Sequence, residues 1–490
     1  MGENNTSSRV FLLGIDGLPI SYLNRLIGEG KLPTFGKLVS EGSSGILEST
    51  IPPLSVPAWP SIYTGLNPGS HGIYGFITQQ RGQDQDYVFH NSESIKGKAV
   101  WDIIGKKGKK SIIVNVPLTN PPYPINGVMI SGFPSSRNEP RTYPKKFERT
   151  LRENHPDYIV DNEPPNKDYR KIDKEQFIDT AHKLIRARTK VALRLMQTEP
   201  WDFFFLVYTE SDRFQHVFWP YVDESYQKKI NDYDDYKDAL PKFYEEIDQN
   251  LKMILETLPT NTTLIIVSDH GFESLYKRFG LKNWLQDHGL TKEKRPKIIR
   301  YYSVKKIYTW LKDNAPINIT DFYSILPKTL RKRGAQHFVQ AGTGGINLIE
   351  IDKHQQKSEL YENLRRELLQ IKDGEKNIIH GVYRREEIYH GEYLENSYDV
   401  IIMPNMGYSI TQWNTNKIIQ EIPWHVGNHL SHEARKGTLI VWGDKVKNKK
   451  SILANCYDIT PTVLYLLGIK YESEFDGHEL SDLFRETHAS

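Results

Sequence analysis

The sequence predicts an α/β protein in which a mostly parallel β-sheet is covered by helices on both faces. Strand-like runs recur along the chain, and each is followed by a helical stretch. Several of these runs are almost continuously β-branched or aromatic, as expected of strands that are buried on both faces. Alternation of such strands with amphipathic helices favours a parallel sheet, and in open sheets of this class ligands bind at the carboxyl ends of the strands.

Six apolar runs are predicted to be strands of this architecture. In chain order they are RVFLLGID (9–16), KSIIVNVP (110–117), DFFFLVYTE (202–210), TLIIVSDHG (263–271), YDVIIMP (398–404) and GTLIVWG (437–443). Two stretches between them have the apolar spacing of amphipathic helices, KAVWDIIGKKGKK (98–110) and FIDTAHKLIRARTKVALRLM (177–196). A further strand is expected within AGTGGINL (341–348).

Residues 272–337 interrupt this alternation. They contain LKNWLQDHGL and the basic stretches TKEKRPKIIR and KTLRKRG, without a clear buried strand. We interpret them as an inserted helical lid, so that the core of the protein would comprise residues 1–271 and 338–490. The positive charges of the two basic stretches have an alternative explanation, namely that they form a solvated basic surface.

The composition excludes several classes of protein. Charged residues make up 26% of the 490 residues and the net charge is only +3, so we expect no stable complex with nucleic acid. The single cysteine, Cys456, excludes an internal disulfide and a thiolate metal cluster. No apolar run reaches the about 18–20 residues of a transmembrane helix. The start, MGENNTSS, lacks the apolar core of a secretion signal and matches only a loose acylation pattern, so a cytoplasmic location is expected.

Three aspartates and three histidines gather at the ends of predicted strands. They are Asp16 in GIDG, Asp212 and His216 in DRFQH, Asp269 and His270 in VSDHG, and His429 in VGNH. On a helix, the spacing of four residues places Asp212 and His216 on one face. Each residue alone has a simpler explanation as a helix cap, a turn residue or a structural hydrogen-bonding group. Together, carboxylates and imidazoles without cysteine form a ligand set suited to Zn²⁺ or Mn²⁺.

Longer segments extend this pattern over almost the whole chain. They run from GIDG and PPLSVPAWPSIYTGLNPGSHGI through VWDIIGKKGKKSIIVNVPLTNPP, PWDFFFLVYTESDRFQHVFW and VSDHGF to VYRREEIYHGEYLENSYDVIIMP and YDITPTVLYLLGI. In their order, spacing and residue identity, these segments resemble the motifs of the alkaline phosphatase superfamily and, within it, of the type I phosphodiesterase/nucleotide pyrophosphatase family. The resemblance implies an alkaline phosphatase-like fold. A P-loop and a nicotinamide-binding glycine motif are both absent from the sequence.

The resemblance also implies a site with two divalent metal ions, with Zn²⁺ expected and Mn²⁺ as the alternative. The implied ligands are Asp16, Ser55, Asp269 and His270 for one ion and Asp212, His216 and His429 for the other. Two histidines near His429 are alternatives for its position, His432 in SHEARKG and His425 in PWHV.

The segment LSVPAW (54–59) carries the implied nucleophile, Ser55. Prolines on both sides of this serine restrict the backbone and disfavour helix in the residue before each of them. We expect Ser55 to begin a helix, where exposed N–H groups favour an anion. Metal coordination would lower the proton affinity of its hydroxyl, so that Ser55 attacks phosphorus and forms a phosphoserine intermediate. The alternative is that Ser55 simply caps the helix.

Two positions depart from the patterns of the superfamily. Nucleotide pyrophosphatases of this group usually have a threonine nucleophile and, further along the chain, an asparagine that helps to bind a phosphoryl oxygen; Ser55 and Phe76 stand at these positions. Sulfatases have an arginine four residues after the nucleophile, where this chain has Trp59, which argues against a sulfatase. We predict that Trp59 and Phe76 contact the substrate.

The sequence therefore predicts a two-metal hydrolase that cleaves phosphodiester or pyrophosphate bonds. Its substrate would be a small phosphorylated molecule, namely a nucleotide, a sugar or a lipid head-group diester. The alternatives within the superfamily are a phosphomonoesterase, a phosphonate hydrolase and a phosphotransferase or mutase. An alternative from another class is a catalytically silent binding protein on the same scaffold.

Overall fold

The fold is that of a computed structural model, which describes residues 8–79, 87–135, 140–161, 172–226, 229–290, 338–341, 344–348, 354–411, 417–471 and 474–485. The strands within these residues are β1 (Arg9–Ile15), β2 (Ser43–Glu48), β3 (Ile77–Gln79), β4 (Tyr87–Phe89), β5 (Ser111–Val116), β6 (Gly127–Ser131), β7 (Thr142–Tyr143), β8 (Phe203–Tyr208), β9 (Thr262–Val267), β10 (Glu273–Gly280), β11 (Phe338–Ala341), β12 (Gly345–Leu348), β13 (Lys372–Asp373), β14 (Lys376–Asn377), β15 (Ile379–Arg384), β16 (Val400–Pro404), β17 (Tyr408–Thr411), β18 (Ile419–Asn428), β19 (Lys436–Trp442) and β20 (Ile452–Asn455).

The helices connect these strands and cover them. Within the described residues they are α1 (Ile20–Gly28), α2 (Pro33–Glu41), α3 (Ser55–Thr64), α4 (Pro68–His71), α5 (Val100–Lys106), α6 (Lys146–Asn154), α7 (Lys174–Thr198), α8 (Glu210–Phe218), α9 (Tyr233–Tyr236), α10 (Ala239–Thr257), α11 (Leu281–Asp287), α12 (His354–Leu369), α13 (Arg385–Ile388) and α14 (Ile459–Leu466). The N-terminal acylation pattern and residues 291–337 of the predicted lid lie outside the described residues. Among the described helices, none combines the length and the apolar composition that a membrane-spanning helix requires.

A nine-stranded sheet forms the centre of the molecule, with the strand order β20-β2-β19-β9-β1-β8-β5-β6-β7. The strands of the middle, from β9 to β6, are parallel to one another, whereas β19 and β7 are antiparallel to their neighbours. The predicted mostly parallel sheet is therefore confirmed. Strand β19 corresponds to the predicted run GTLIVWG, and its apolar sequence alone does not reveal its direction.

Helices cover both faces of this sheet. On one face, α1, α2, α7, α8 and α10 pack against alternate strand residues such as Phe11 and Leu13. On the other face, α3, α5 and α14 pack against Val10 and Leu12. Because successive side chains of a strand point to opposite faces, a strand between two helical layers must be apolar throughout, which accounts for the continuous apolar runs in the sequence.

A second region contains smaller sheets with a core of their own. Strands β11, β12, β16 and β15 form a four-stranded sheet, and β10 lies between β17 and β18 in a three-stranded one. The predicted strands YDVIIMP and AGTGGINL belong to the four-stranded sheet and not to the central one, because they bury their side chains against α11 and α12. Residues 272–337 also contain the strand β10, which the sequence analysis missed. The boundaries of the inserted segment remain a prediction.

Candidate active site

The carboxyl ends of three neighbouring strands of the central sheet place the three aspartates together. Strand β1 pairs with β9 on one side and β8 on the other, and all three end at nearly the same level, with Gly14 opposite both Val267 and Val207. Asp16 directly follows β1, Asp269 lies two residues beyond β9, and α8 begins shortly after β8 and carries Asp212. The predicted convergence at this edge is present.

The first cluster of ligand atoms comprises Asp16, Asp269 and His270, all of which are buried. His270 Nε2 lies 3.5 Å from Asp16 Oδ1 and 3.2 Å from Asp269 Oδ2. We refer to these three residues as group one. They are three of the four ligands that the family resemblance implied for one metal ion, the fourth being Ser55.

The second cluster, group two, comprises Asp212, His216 and His429. Asp212 Oδ1 lies 3.5 Å from Nε2 of each histidine. His216 is one turn after Asp212 on α8, as predicted, and His429 follows strand β18 of the smaller sheet. His432 lies outside this group and stacks on His380, with ring centroids 3.7 Å apart. The side chain of His425 is outside the described part of the structure.

The protein backbone fixes the tautomer of all three histidines. Each has its Nδ1 at 2.9 Å from a backbone carbonyl oxygen, which can only accept a hydrogen bond, so Nδ1 carries the proton and Nε2 keeps its lone pair for a metal ion. The carbonyl oxygens belong to Gly271 for His270, to Gly427 for His216 and to Pro53 for His429. A carbonyl on the second ring nitrogen is the usual surrounding of metal-bound histidine.

The three aspartates are held in a matching way. Each receives a hydrogen bond from an N–H group on one carboxylate oxygen, which leaves the other oxygen for its cluster. The donors are Trp59 Nε1 to Asp16 Oδ2 at 3.0 Å, the Gly17 amide to Asp269 Oδ1 at 3.1 Å, and Arg213 Nη1 to Asp212 Oδ2. Asp212 Oδ1 and Asp269 Oδ2 are buried without a hydrogen-bond partner in the described structure. Buried oxygens of this kind fit metal ligation, because an unpaired buried carboxylate oxygen is otherwise costly.

The electrostatics of the site also fit divalent cations. Burial lowers the pKa of His216 and His270 to about 4 and that of His429 to about 3, so these imidazoles are neutral at pH 7 and able to coordinate. Burial also raises the pKa of Asp269 to about 8, and burial together with the charges of Asp269 and Asp212 raises that of Asp16. Three carboxylates thus share a buried site in which added positive charge favours their ionised forms.

Ser55 lies against group one. It is the first residue of α3, and its Oγ is 3.2 Å from Asp16 Oδ1 and 3.1 Å from His270 Nε2. The N-cap of the helix is Leu54, so the capping role considered for Ser55 is wrong. The ring of His270 in turn stacks on His429 of group two, with centroids 3.9 Å apart. The hydroxyl thus contacts group one, and group one is in contact with group two through the stacked rings of His270 and His429.

The two predicted substrate contacts have different surroundings. Phe76 is 40% exposed, and its ring lies 6.3 Å from that of the buried Phe133. Trp59 is completely buried and donates its indole N–H to Asp16, so the structure places it behind a ligand and not at a surface that a substrate reaches. Its substrate contact is thus not supported.

Sequence reasoning missed a charged pair beside group two. The Arg213 guanidinium donates to both oxygens of Asp161, at 3.2 and 3.0 Å, and to Asp212, and it lies 5.2 Å from the ring centroid of Phe133. The position of Arg213 next to Asp212 in DRFQH was a usable signal. Nothing in the sequence pointed to Asp161, because it lies in a loop 52 residues before Arg213.

Comparison with known proteins decides the family. The sequence profile described as type I phosphodiesterase / nucleotide pyrophosphatase matches residues 10–432. The chain belongs to this family. Its members are hydrolases, and their dependence on metal ions fits the two groups of ligand atoms. No curated protein sequence matched the chain.

Solved structures agree on the fold of this family member. Murine ectonucleotide pyrophosphatase/phosphodiesterase 5 superposes with a TM-score of 0.55 at 16% identity, over 97% of this chain and 100% of that one. The human counterpart gives 0.57 at 15% identity, over 98% and 100%. Phosphonoacetate hydrolase from Sinorhizobium meliloti, solved with phosphonoformate, gives 0.56 at 14% identity, over 94% and 96%. At these identities the likeness confirms the predicted alkaline phosphatase-like fold.

Proposed function

We propose that this protein is a two-metal hydrolase that cleaves phosphodiester or pyrophosphate bonds through a phosphoserine intermediate on Ser55. The observation that carries the proposal is the position of the Ser55 hydroxyl. It contacts Asp16 and His270 of group one, and the His270 ring stacks on His429 of group two. A phosphoryl group at this hydroxyl would be next to both groups.

Group one and group two would each hold one divalent ion. The three imidazoles favour Zn²⁺, and the three carboxylates keep Mn²⁺ as the alternative. When bound, the two ions would polarise the phosphoryl group, stabilise its developing charge and lower the pKa of the serine hydroxyl. The protein holds the six ligand side chains in position, since one atom of every aspartate and histidine accepts or donates a hydrogen bond within the protein.

Ser55 would act as the nucleophile. Its Oγ, having lost its proton to water, would attack phosphorus as the bond from phosphorus to the leaving-group oxygen breaks, and the leaving oxygen would take a proton from water. The phosphoryl group, with any second substituent it carries, would stay on Ser55 until water attacks phosphorus and the bond from phosphorus to Ser55 Oγ breaks. Because α3 begins at Ser55, the positive end of the helix dipole lies at this residue, which favours the negative charge of the phosphoryl oxygens. The amides of Ser55 and Val56 are the first-turn donors that remain, since Pro57 has no N–H and Ala58 donates to the Leu54 carbonyl oxygen.

The substrate of this proposal is a small phosphorylated molecule such as a nucleotide, a sugar or a lipid head-group diester. An inactive variant of murine ectonucleotide pyrophosphatase/phosphodiesterase 5 was solved with AMP, and phosphonoacetate hydrolase with phosphonoformate, so related folds accept small phosphorus-containing anions. Phe76 is part of the proposal as an exposed apolar contact for the group that the phosphate carries. The proposal includes a cytoplasmic location, which the single cysteine supports.

Trapping of the intermediate tests the proposal. Protein incubated with bis-p-nitrophenyl phosphate and Zn²⁺ or Mn²⁺ is quenched in acid and mapped by mass spectrometry. We expect Ser55 to carry the p-nitrophenyl phosphoryl group that remains after one p-nitrophenolate has left. Ser55→Ala should retain bound metal and lose at least about 10³-fold in turnover, a typical loss for a group that acts as part of a catalytic unit.

Ser61→Ala is the matched control, because Ser61 is another buried serine of α3 but bonds to His71 and not to the ligand groups. It should keep nearly normal turnover. A phosphoryl adduct on a different residue, or full turnover by Ser55→Ala, would refute the assignment. Phosphomonoester and phosphonate substrates in the same assay distinguish the related reaction types.

A further inference from the structure

Trp59 occupies an unusual position between the nucleophile helix and a proposed metal ligand. Ser55 and Trp59 are four residues apart on α3 and so project from the same face of the helix. The Ser55 hydroxyl donates to Asp16 Oδ1 at 3.2 Å, and the Trp59 indole donates to Asp16 Oδ2 at 3.0 Å. One turn of helix thus binds both oxygens of the same carboxylate.

The indole is held in this position by packing. Trp59 is completely buried, and its ring lies against strand β1 at Gly14 and near the ring of Phe205, whose centroid is 6.1 Å away. A Cβ atom on Gly14 would lie 2.4 Å from Trp59 Cη2, closer than two carbon atoms approach. A side chain at position 14 would therefore displace the indole, and the glycine keeps the space that the ring needs.

The donor on Asp16 differs from that on the other buried aspartate ligands. Asp212 receives a charged guanidinium and Asp269 a backbone amide, whereas Asp16 receives a neutral side-chain N–H from the helix that also bears the nucleophile. A neutral donor satisfies Oδ2 without neutralising the carboxylate, so Oδ1 retains its charge for the ion. It also fixes the plane of the carboxylate relative to the Ser55 hydroxyl.

We propose that Trp59 is a positioning residue that sets the orientation of Asp16 toward the metal ion of group one and aligns that ion with Ser55. This inference rests on the two-metal site of the proposed function. Loss of the N–H would leave Asp16 Oδ2 buried without a donor and free the carboxylate to rotate. Removal of a hydrogen-bonding partner behind a metal ligand typically lowers metal affinity or activity about 10–100-fold.

Two changes at position 59 test this role. Trp59→Phe removes the N–H and part of the ring, and incorporation of 3-benzothienylalanine at position 59 removes only the N–H because sulfur replaces it in a ring of nearly the same size. The matched control is Trp101→Phe. Trp101 is equally buried in the same hydrophobic core and also donates its indole N–H, to Tyr123 Oη at 2.7 Å, but it does not contact either group.

The measurement is the affinity of each site for Zn²⁺, obtained by competition with a chromogenic chelator, with His216→Ala identifying the step that belongs to group two. We expect both position-59 changes to weaken the group-one step about 10–100-fold and to alter the visible absorption of the Co²⁺-loaded protein, whereas Trp101→Phe alters neither. Trp101→Phe controls for a general loss of stability, because it also removes a buried indole. A change in the group-one Zn²⁺ affinity and in the Co²⁺ absorption that is confined to position 59 therefore reports on Asp16.

The possible failures are distinct. If the unmodified protein binds two ions and the position-59 variants match Trp101→Phe in affinity and in Co²⁺ absorption, Trp59 is only a packing residue and the inference is overturned. The benzothienylalanine protein decides the matter if Trp59→Phe does not fold. If the unmodified protein binds no divalent ion, the proposed function fails and this inference fails with it.

Discussion

At the scale of single residues, each of the six proposed ligands uses one atom toward its cluster and fixes another on the protein. The histidines do this through Nδ1 and backbone carbonyls, and the aspartates through N–H donors. The protein thereby limits both the rotation of each ligand and its choice of donor atom. Metal affinity should consequently depend on each ligand separately, and the two groups should lose their ions independently.

Single substitutions test this independence. His216→Ala removes one of the three ligands of group two and Asp269→Asn removes the charge of a ligand of group one, so each variant should bind about one ion in place of two, with turnover lowered at least about 10²-fold. Elemental analysis after gel filtration measures the bound metal. His182→Ala is the control, because His182 is a half-buried histidine that faces Glu246 at 3.5 Å and lies outside both groups. Two tightly bound ions in either ligand variant would contradict the assignment.

The sequence was informative about these residues where the signal was local. Asp16, Asp212, Asp269 and their histidine neighbours stand at strand ends or at helical spacing, and the family motifs extended the set to Ser55. The contact of Trp59 with Asp16 was not predicted, because it spans 43 residues of chain and depends on the space left at Gly14. A contact of that kind has no pattern along the sequence.

At the scale of elements, the orientation of α8 decides whether group two forms. This helix carries both Asp212 and His216, and its first residue, Glu210, is paired with Arg188 of α7. Both partners are completely buried, and Arg188 also donates to Tyr158 Oη and to the Val160 carbonyl oxygen. The ion pair therefore ties α8, which carries two ligands of group two, to α7.

Removal of one partner should be strongly destabilising. In Arg188→Met the carboxylate of Glu210 stays buried without its cation, and we expect the free energy of unfolding to fall by about 3–5 kcal/mol. Urea unfolding followed by circular dichroism measures this loss. Arg186→Met, on the same helix but with a half-exposed side chain, should change it by less than about 1 kcal/mol. The double variant Arg188→Met/Glu210→Gln should recover part of the loss, and equal stability of the two single variants would refute the argument.

The sequence predicted that most of the strands exist, but it did not predict which strands pair with one another in a sheet. The apolar runs at 398–404 and 341–348 are strands, but they pair in the four-stranded sheet, since a buried run is apolar whichever layer buries it. Strand β10 was missed because its middle residues, from Tyr276 to Arg278, are polar and half-buried, which gives ESLYKRFG no clear strand pattern. Strand β10 is defined by its pairing with β17 and β18, which the local sequence pattern does not show.

At the scale of the whole molecule, the charge balance of the proposed two-metal site would favour substrates with one negative charge on phosphorus. Two divalent ions would bring four positive charges, Asp16, Asp212 and Asp269 would remove three, and an ionised Ser55 would remove the last. Arg213 does not change this sum, because its pairing with Asp161 neutralises it. A diester monoanion fits such a site better than a monoester dianion.

Comparison of two chromogenic substrates tests the charge balance. With identical metal loading, kcat/KM for bis-p-nitrophenyl phosphate should exceed that for p-nitrophenyl phosphate. Asp161→Asn should reduce the ratio of kcat/KM for the diester to kcat/KM for the monoester, because it leaves the positive charge of Arg213 uncompensated beside group two. A higher kcat/KM for the monoester in the unmodified protein would contradict the argument and favour a phosphomonoesterase.

The origin of His429 has a consequence for how the chain is held together. Five of the six ligands belong to loops and helices of the central sheet, whereas His429 follows β18 of the three-stranded sheet. An ion bound by group two would therefore act as a cross-link between Asp212 and a residue 217 positions later, closing a very long loop. Chelation would remove that cross-link, and amide hydrogen exchange in β10 and β18 should then accelerate while the middle of β1 keeps its protection.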